Sequence, residues 1–475
     1  MSRLRFAMSF VFMMVLMPSA WHSHATAQSD VIASAQSASD PTQATEDGAS
    51  ELPSSTPGSS IPANALDDAY LQISQDKPRV ALRMLDAILA REPENPWAWY
   101  FRGLALVQLD QPHDALNAFE EARLYAGRLH ADGAEPDQDL MEAISGAAAT
   151  ARRSLFSFNL RSGFFYDTNV SFVDEAAAQP GLIAGDEDAY FGLSADSRIA
   201  LYHARDTRVW LDLRTAQSWH FEIDSFDYQS YGGSLSIRHA ISDYVAVEAG
   251  YDYDADLLGR DMFGSFQRGR LRVDAMLPFE NEVVVPRRTS LFYHLESNDF
   301  LFPTTDEAFD QDALGHVVGI EQVVRVSPVV DSPAYIDLIL GYQFSHYDTD
   351  GTEFQRRQHR FHTGLAAPIL NPLGEGEYLL IPELPMRLEM GMDWMIDDYT
   401  EASLIDRDGG ERRDRILRYR VALSQVLVDD PVYGQLTFRF LFQFLDADSN
   451  VITEDRRQPF DYDKALYGLQ LHWSW

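Results

Sequence analysis

The stretch LYGLQLHWSW, residues 466–475, alternates without a break. Tyr467, Leu469, Leu471, Trp473 and Trp475 fall on one side, Gly468, Gln470, His472 and Ser474 on the other. A period of two is the mark of an extended strand. Chain ends ordinarily fray and carry polar residues. A strand that stays aromatic to its last residue must be paired along its whole length. The same pattern recurs upstream. Phe156, Phe158, Leu160, Ser162, Phe164 and Tyr166 oppose Ser157, Asn159, Arg161, Gly163 and Phe165. Ile336, Leu338, Leu340, Tyr342 and Phe344 oppose Asp337, Gly341 and Gln343. Met386, Leu388, Met390, Met392 and Trp394 oppose Arg387, Glu389, Gly391 and Asp393, and Phe438, Phe440, Phe442 and Phe444 oppose Thr437, Arg439, Leu441 and Gln443.

A soluble sandwich also alternates, with its apolar face inward. Here the apolar faces run for about 9–11 residues, the length a tilted strand needs to cross an outer membrane. The opposite faces mix glycine with charges of both signs, such as Asp212, Arg214, Glu248, Asp252 and Asp274, which suits a wet lumen. About fourteen such segments begin near residues 155, 189, 207, 229, 244, 265, 288, 314, 334, 355, 385, 414, 434 and 464. The number is even, as bacterial single-chain barrels require. Long acidic connections follow several odd strands, and tighter turns such as ARDT follow some even ones. The segment PILNPLGEGEYLLIPEL, 368–384, is too long for a tight turn and leaves the count open by two. The aromatic-ended last strand, Tyr467 to Trp475, also resembles the signal read by the bacterial barrel-assembly machinery.

The N-terminus fixes the compartment. Arg3 and Arg5 precede a mostly apolar run from Phe6 to Met17, and Ala25-Thr26-Ala27 follows. This is the layout of a secretory signal peptide, residues 1–27. Residues 28–61 are rich in Ser, Ala, Thr, Pro, Gln and Asp, and predict a disordered tether. The mean hydropathy of −0.25 excludes a bundle of membrane-spanning helices. The net charge of −35 argues against a nucleic-acid partner. Zero cysteines remove disulfides, thiolate metal sites, catalytic thiols and a lipid on an N-terminal cysteine.

From Pro62 the period turns helical. DKPRVALRMLDAI from Asp76 and DQPHDALNAFEEA from Asp110 are 34 residues apart, the period of a tetratricopeptide repeat. Trp99 and Gly103 sit where the first helix of that repeat carries tryptophan and glycine. Ala115, Phe119 and Ala122 match its small-large-small series. The earlier copy keeps Ala81 and Pro93 but lacks the tryptophan and glycine. About two repeats and a closing helix near 135–152 are expected, fewer than the three units such stacks usually need. The fold expected is therefore an all-α tetratricopeptide-like domain, 62–153, followed by a transmembrane antiparallel β-barrel of about fourteen strands, 154–475.

Chemistry-bearing motifs are scarce. DADSN, from Asp446, begins like a calcium loop but has Val451 and Arg457 where an EF-hand needs glycine and glutamate. DTDG, from Asp348, fails similarly. No nucleotide-binding, zinc-protease or serine-hydrolase motif lies in a suitable context, so no cofactor and no catalytic residue are expected. His294 and Glu296 share a lumen face with Asp337 within conceivable reach, but alternation alone produces such sets. Arg268, Arg270, Arg272, Arg356, Arg357, Arg360, Arg418 and Arg420 cluster on strands six, ten and twelve. They either pair with lumen carboxylates, as buried charges must, or form a basic stripe that guides a client or an anionic solute.

A leader, a short repeat module and a barrel of about fourteen strands resemble the surface lipoprotein assembly modifier (Slam) family. GFFYDTNV, Gly163 to Val170, is similar to the aromatic-Asp-x-Asn-Val segment that opens such barrels. The resemblance implies delivery of lipoprotein or secreted clients across the outer membrane, with periplasmic repeats that receive the client. An exopolysaccharide-export pore, or a porin with an accessory domain, is the alternative expectation.

Overall fold

The computed structural model describes residues 65–74, 77–109, 111–131, 138–170, 187–204, 206–242, 244–259, 261–276, 284–301, 307–326, 336–369, 386–430, 433–453, 458 and 460–475. The expected leader and tether lie outside them. The chain divides into a helical unit and a barrel.

The helical unit contains α1 (Ala65–Ser74), α2 (Pro78–Leu89), α3 (Pro96–Gln108), α4 (Pro112–Ala131) and α5 (Gln138–Arg153). Proline opens three of these helices, where its fixed φ is already helical and its missing N–H costs nothing. Asn95 caps α3 by accepting the Ala98 N–H at 3.1 Å. Alanines carry the close contacts: Ala81, Ala98 and Ala105 in one half, Ala115, Ala118 and Ala122 in the other, all fully buried. Leu85, Phe119 and Leu140 fill the volume between them. Among the described residues no helix is long and apolar enough to cross a membrane.

Fourteen strands form the second unit: β1 (Phe156–Asp167), β2 (Asp188–His203), β3 (Thr207–His220), β4 (Tyr228–Ser242), β5 (Val245–Leu258), β6 (Asp261–Ala275), β7 (Val284–Phe300), β8 (Ala313–Val326), β9 (Ile336–Thr349), β10 (Arg356–Ile369), β11 (Met386–Ala402), β12 (Glu411–Asp430), β13 (Gly434–Ser449) and β14 (Tyr462–Ser474). Each strand pairs with the next, and β14 returns to β1, so the sheet is a closed barrel with no edge. Every expected strand is present within four residues of its expected start. Most of the doubtful segment, 368–384, lies outside the described residues, among which the strands number fourteen. The strands are longer than the 9–11 residues expected, from 12 in β1 to 20 in β12, because they continue past the apolar stretch.

The period-two pattern is realised with its apolar face outward. Leu213, Leu235, Leu271, Leu291, Val318, Leu340, Met390, Phe440 and Leu469, from nine strands, are each 40–55 % exposed. Asp252, Asp274, Asp337, Asp393 and Arg418 on the inner face are all under 5 % exposed. A water-soluble protein has the reverse arrangement. An apolar belt around a closed, internally charged barrel is stable only where lipid is the outer solvent.

Tight connections occur at both rims. β2 ends at His203 and β3 begins at Thr207, and the turn after β5 runs through Gly259, whose φ of +54° suits glycine.

Candidate functional site

The inner wall is a lattice of ion pairs. Arg214 bridges to Asp254 at 2.7 Å and Asp252 at 3.8 Å. Arg268 meets Glu296 at 2.8 Å. Arg270 meets Asp252 at 3.0 Å and Glu248 at 3.9 Å, and Arg272 meets Asp274 at 2.8 Å and Glu321 at 3.8 Å. Arg268, Arg270 and Arg272 therefore share a face but are matched by carboxylates, on β7 for Arg268, on β5 for Arg270, and on β6 itself and β8 for Arg272. Arg356 lies 3.7 Å from Asp397. Arg357 alternates with Arg356 and belongs to the outer face. Arg360 and Arg420 both reach Asp393 at 2.7 Å. Arg418 is directly across the ladder from Asp393 and almost fully buried.

Lumen glycines seat these long side chains. Gly250 is paired with Arg270, and an added Cβ would lie 2.9 Å from the Arg270 Nε. Gly391 is paired with Arg420, 3.7 Å away on the same measure. Gly341 is paired with His362, whose imidazole would overlap any Cβ there. His362 Nε2 in turn lies 3.4 Å from Glu321. Each glycine lets a neighbour lie flat against the wall, a role that no single-strand pattern reveals.

His294, Glu296 and Asp337 are not brought together. Glu296 is held by Arg268 and by the Tyr347 hydroxyl, which donates at 3.0 Å. Asp337 pairs with Arg325 at 2.9 Å. His294 is level with Val317 and Ser345. Ser345 is eight residues from Asp337 along β9, about 26 Å at the usual strand rise.

The seam between β1 and β14 has its own fastening, built from the DTNV of residues 167–170. Lys464 Nζ lies 2.7 Å from Asp167 Oδ2, with both side chains buried. Asp167 Oδ1 accepts the Asn169 N–H at 3.1 Å. Thr168 donates its N–H to the Ala465 carbonyl at 3.0 Å, and its Oγ1 accepts the Ala465 N–H at 2.8 Å. Asn169 Nδ2 donates to the Asp463 carbonyl at 3.1 Å. At the other end of the seam, Trp475 and Phe158 exchange N–H···O bonds of 2.8 Å in both directions. Tyr467, Leu469, Leu471 and Trp473 all face outward. The Trp473 indole packs edge-on to Phe158 at 5.8 Å and donates to the Tyr433 carbonyl at 2.8 Å.

Acidic side chains in the connections cap backbone groups. Asp406 accepts from Gly410 N at 2.8 Å and Ile452 N at 3.1 Å, which hold its carboxyl below the usual range. Glu353, buried, accepts from Ser403 Oγ at 2.6 Å and Leu404 N at 2.9 Å. Asp310, Asp312 and Asp350 offer oxygens within 4.8 Å of one another. Asp312 also accepts from Phe300 N at 2.6 Å, and burial pushes its carboxyl up, with Asp310, Asp299 and Asp350 adding to the effect. In DADSN, Asn450 accepts from Arg413 N at 2.6 Å and donates to the Glu411 carbonyl at 2.9 Å.

In the helical unit, Gly103 lies under Phe119, so that a Cβ would come within 2.6 Å of the ring carbon Cδ1. Ala115 and Ala122 are fully buried on either side of Phe119. Trp99 packs against both halves of the core and donates to the Pro93 carbonyl at 2.8 Å.

A closed antiparallel barrel with a lipid-compatible belt and a charged interior defines an outer-membrane β-barrel protein. No protein-family description and no curated protein match the chain. Among solved structures, the chain is similar to CdiB from Acinetobacter baumannii at 9% identity and a TM-score of 0.34, over 67% of this chain and 60% of that one. The chain thus spans about three fifths of CdiB's length. A bacterial polysaccharide outer membrane secretin matches at 9% identity and TM-score 0.34, over 68% and 98% of the two chains. An anion-selective porin from Comamonas acidovorans matches at 9% and 0.32, over 67% and 98%.

Proposed function

We propose that this barrel delivers protein clients, lipoproteins or other secreted chains, to the cell surface, with the helical unit on the periplasmic side as a tetratricopeptide-like receptor. The observation that carries this reading is an aromatic surface on α1 and α3. Tyr70 and Phe101 are 5.3 Å apart by ring centroids, Phe101 and Trp97 5.8 Å, and Trp97 and Tyr100 6.0 Å. Tyr70 and Trp97 stay exposed although their neighbours are core. Clustered exposed aromatics on a repeat surface are what an extended apolar peptide segment needs as a platform. The two ends of the barrel sequence share one rim, since Asn159 is level with Ser474. A periplasmic helical unit is consistent with that, because both termini of bacterial barrels lie on the periplasmic side. The alternating strand ending at Trp475 is then read by the barrel-assembly machinery. No nucleotide is needed: folding or insertion of the client outside supplies the driving force.

The experiment is co-expression with each lipoprotein or secreted protein encoded beside its gene, scored by surface protease accessibility of the candidate. Ala115→Glu, which forces a charge between packed helices, should abolish exposure while the barrel still assembles. If that variant transports normally, the helical unit is dispensable. If no candidate gains exposure and the purified protein conducts sugars or polysaccharide across a bilayer, the export-pore reading replaces this one.

A further inference from the structure

Elsewhere on the inner wall, several arginines face more than one carboxylate. Arg214 has two, and Arg270 has two. Around Asp393 the ratio inverts. Arg360 donates from Nε at 3.0 Å and from Nη2 at 2.7 Å to Asp393 Oδ1. Arg420 Nη2 donates to Asp393 Oδ2 at 2.7 Å. Both carboxylate oxygens are thereby engaged before Arg418 is counted. Arg418 is 1 % exposed, and its Nε and Nη2 have no hydrogen-bond partner. Asp393, Arg360 and Arg420 bear on it most strongly, with the Tyr462 hydroxyl beside them, and Lys464 is also within electrostatic reach. Asp393 is itself wholly buried, so it cannot turn toward the lumen to take up further charge.

A guanidinium is always protonated and cannot shed its charge to relieve burial. A buried cation without its own counter-charge is strongly unfavourable, and cores do not retain one idly. Arg360 and Arg420 keep 17 and 24 % of their side chains exposed. Their open sides therefore look into the lumen, while Arg418, across the ladder from Asp393, is buried. Gly391 keeps the wall low under Arg420, leaving a shelf rather than a side chain at that level.

We propose that Arg360, Arg418 and Arg420 form an oxyanion-binding site on the inner wall, for a sulfate, phosphate or carboxylate group. The anion sits on the open faces of Arg360 and Arg420, where planar forks suit paired oxygens. Arg418, being buried, supplies field rather than a contact. The site is independent of which client or solute the barrel moves, since it rests on the imbalance around Asp393 alone.

The test uses the full-length protein in detergent micelles, with thermal unfolding followed at fixed ionic strength while chloride is exchanged for sulfate or phosphate. Wild type should gain stability saturably. Arg418→Met, which leaves both Asp393 ion pairs in place, should unfold at an equal or higher temperature in chloride. Its half-saturating sulfate concentration should rise about tenfold, the usual worth of one charged interaction. Asp393→Asn is the second variant: it keeps all three arginines and should bind sulfate more tightly, so the proposal stays testable if Arg418→Met does not assemble. A parallel titration with galacturonate separates the sources. A response to inorganic anions alone marks a site for free anions, and an equal response to the uronic acid marks a site for acidic sugars; either supports the assignment. No anion-specific stabilisation of wild type, or the same response in wild type and both variants, overturns it.

Discussion

Lys464 meets Asp167 at 2.7 Å across the seam where the first and last strands join, and both side chains are buried. Here barrel closure is fastened by side chains as well as by the ladder, because Thr168 and Asn169 bond the backbone of β14 beside the pair. Removing one partner strands the other charge in the wall. Lys464→Met should therefore cost about 3 kcal/mol, read as a lower temperature of the folded-to-unfolded gel shift. The double variant Lys464→Met with Asp167→Asn should recover part of the loss. Equal loss in single and double variants would show that the pair is not coupled.

Phe440 faces outward from β13 within the apolar belt. Phe440→Arg should destabilise the barrel by about 2–4 kcal/mol if the residue lies near the midplane of the bilayer. Refolding into liposomes under urea titration measures this directly. A change below a few tenths would mean that this face is not in contact with lipid.

Gly341 is the seat of the His362 ring. Gly341→Ala should displace that ring from Glu321 and cost about 1–3 kcal/mol, the range for an overfilled site. His362→Ala in the same background should relieve much of the strain. If Gly341→Ala alone is as stable as wild type, the ring is free to move and the glycine has another purpose.

Asp406 accepts the Gly410 N–H within the β11–β12 connection and the Ile452 N–H from the β13–β14 connection, so the second bond joins the two. Its folded pKa is depressed by those bonds, so the link is present above the ordinary carboxylate range and is lost as pH falls through the folded value. Exchange of the Gly410 and Ile452 amides, corrected for its intrinsic pH dependence, should accelerate below about pH 4. In Asp406→Ala it should be fast at every pH. Protection that ignores both acid and the substitution would place the link elsewhere.

The strands were legible because one physical fact repeats fourteen times: a wall with lipid on one side and water on the other sorts residues with period two. Even so, the starts of β6 and β7 fall four residues earlier than the apolar pattern suggests, since these strands run on past the apolar stretch. The arginines of β6 were legible as a face but not as matched pairs, because most of their partners lie on β5, β7 and β8 at registers that only the closed barrel sets. Arg357 was grouped with the lumen arginines by proximity, although its parity puts it outside. The acidic connections read as solvated charge, yet Asp406 and Glu353 bond backbone groups in segments far away in sequence. Lumen glycines such as Gly250 and Gly341 read only as part of the polar face. In the folded wall they are recesses, each occupied by a side chain from the next strand.

The fastening at β1 and β14 also sets a condition on time. Asp167 is among the first barrel residues to leave the ribosome, and Lys464 among the last. A chain missing its final strand leaves Asp167 with no ammonium to meet and Thr168 with no strand to bond. Completion and closure are thus registered by one contact, and a nascent barrel carries within its own wall a check that all of it has arrived.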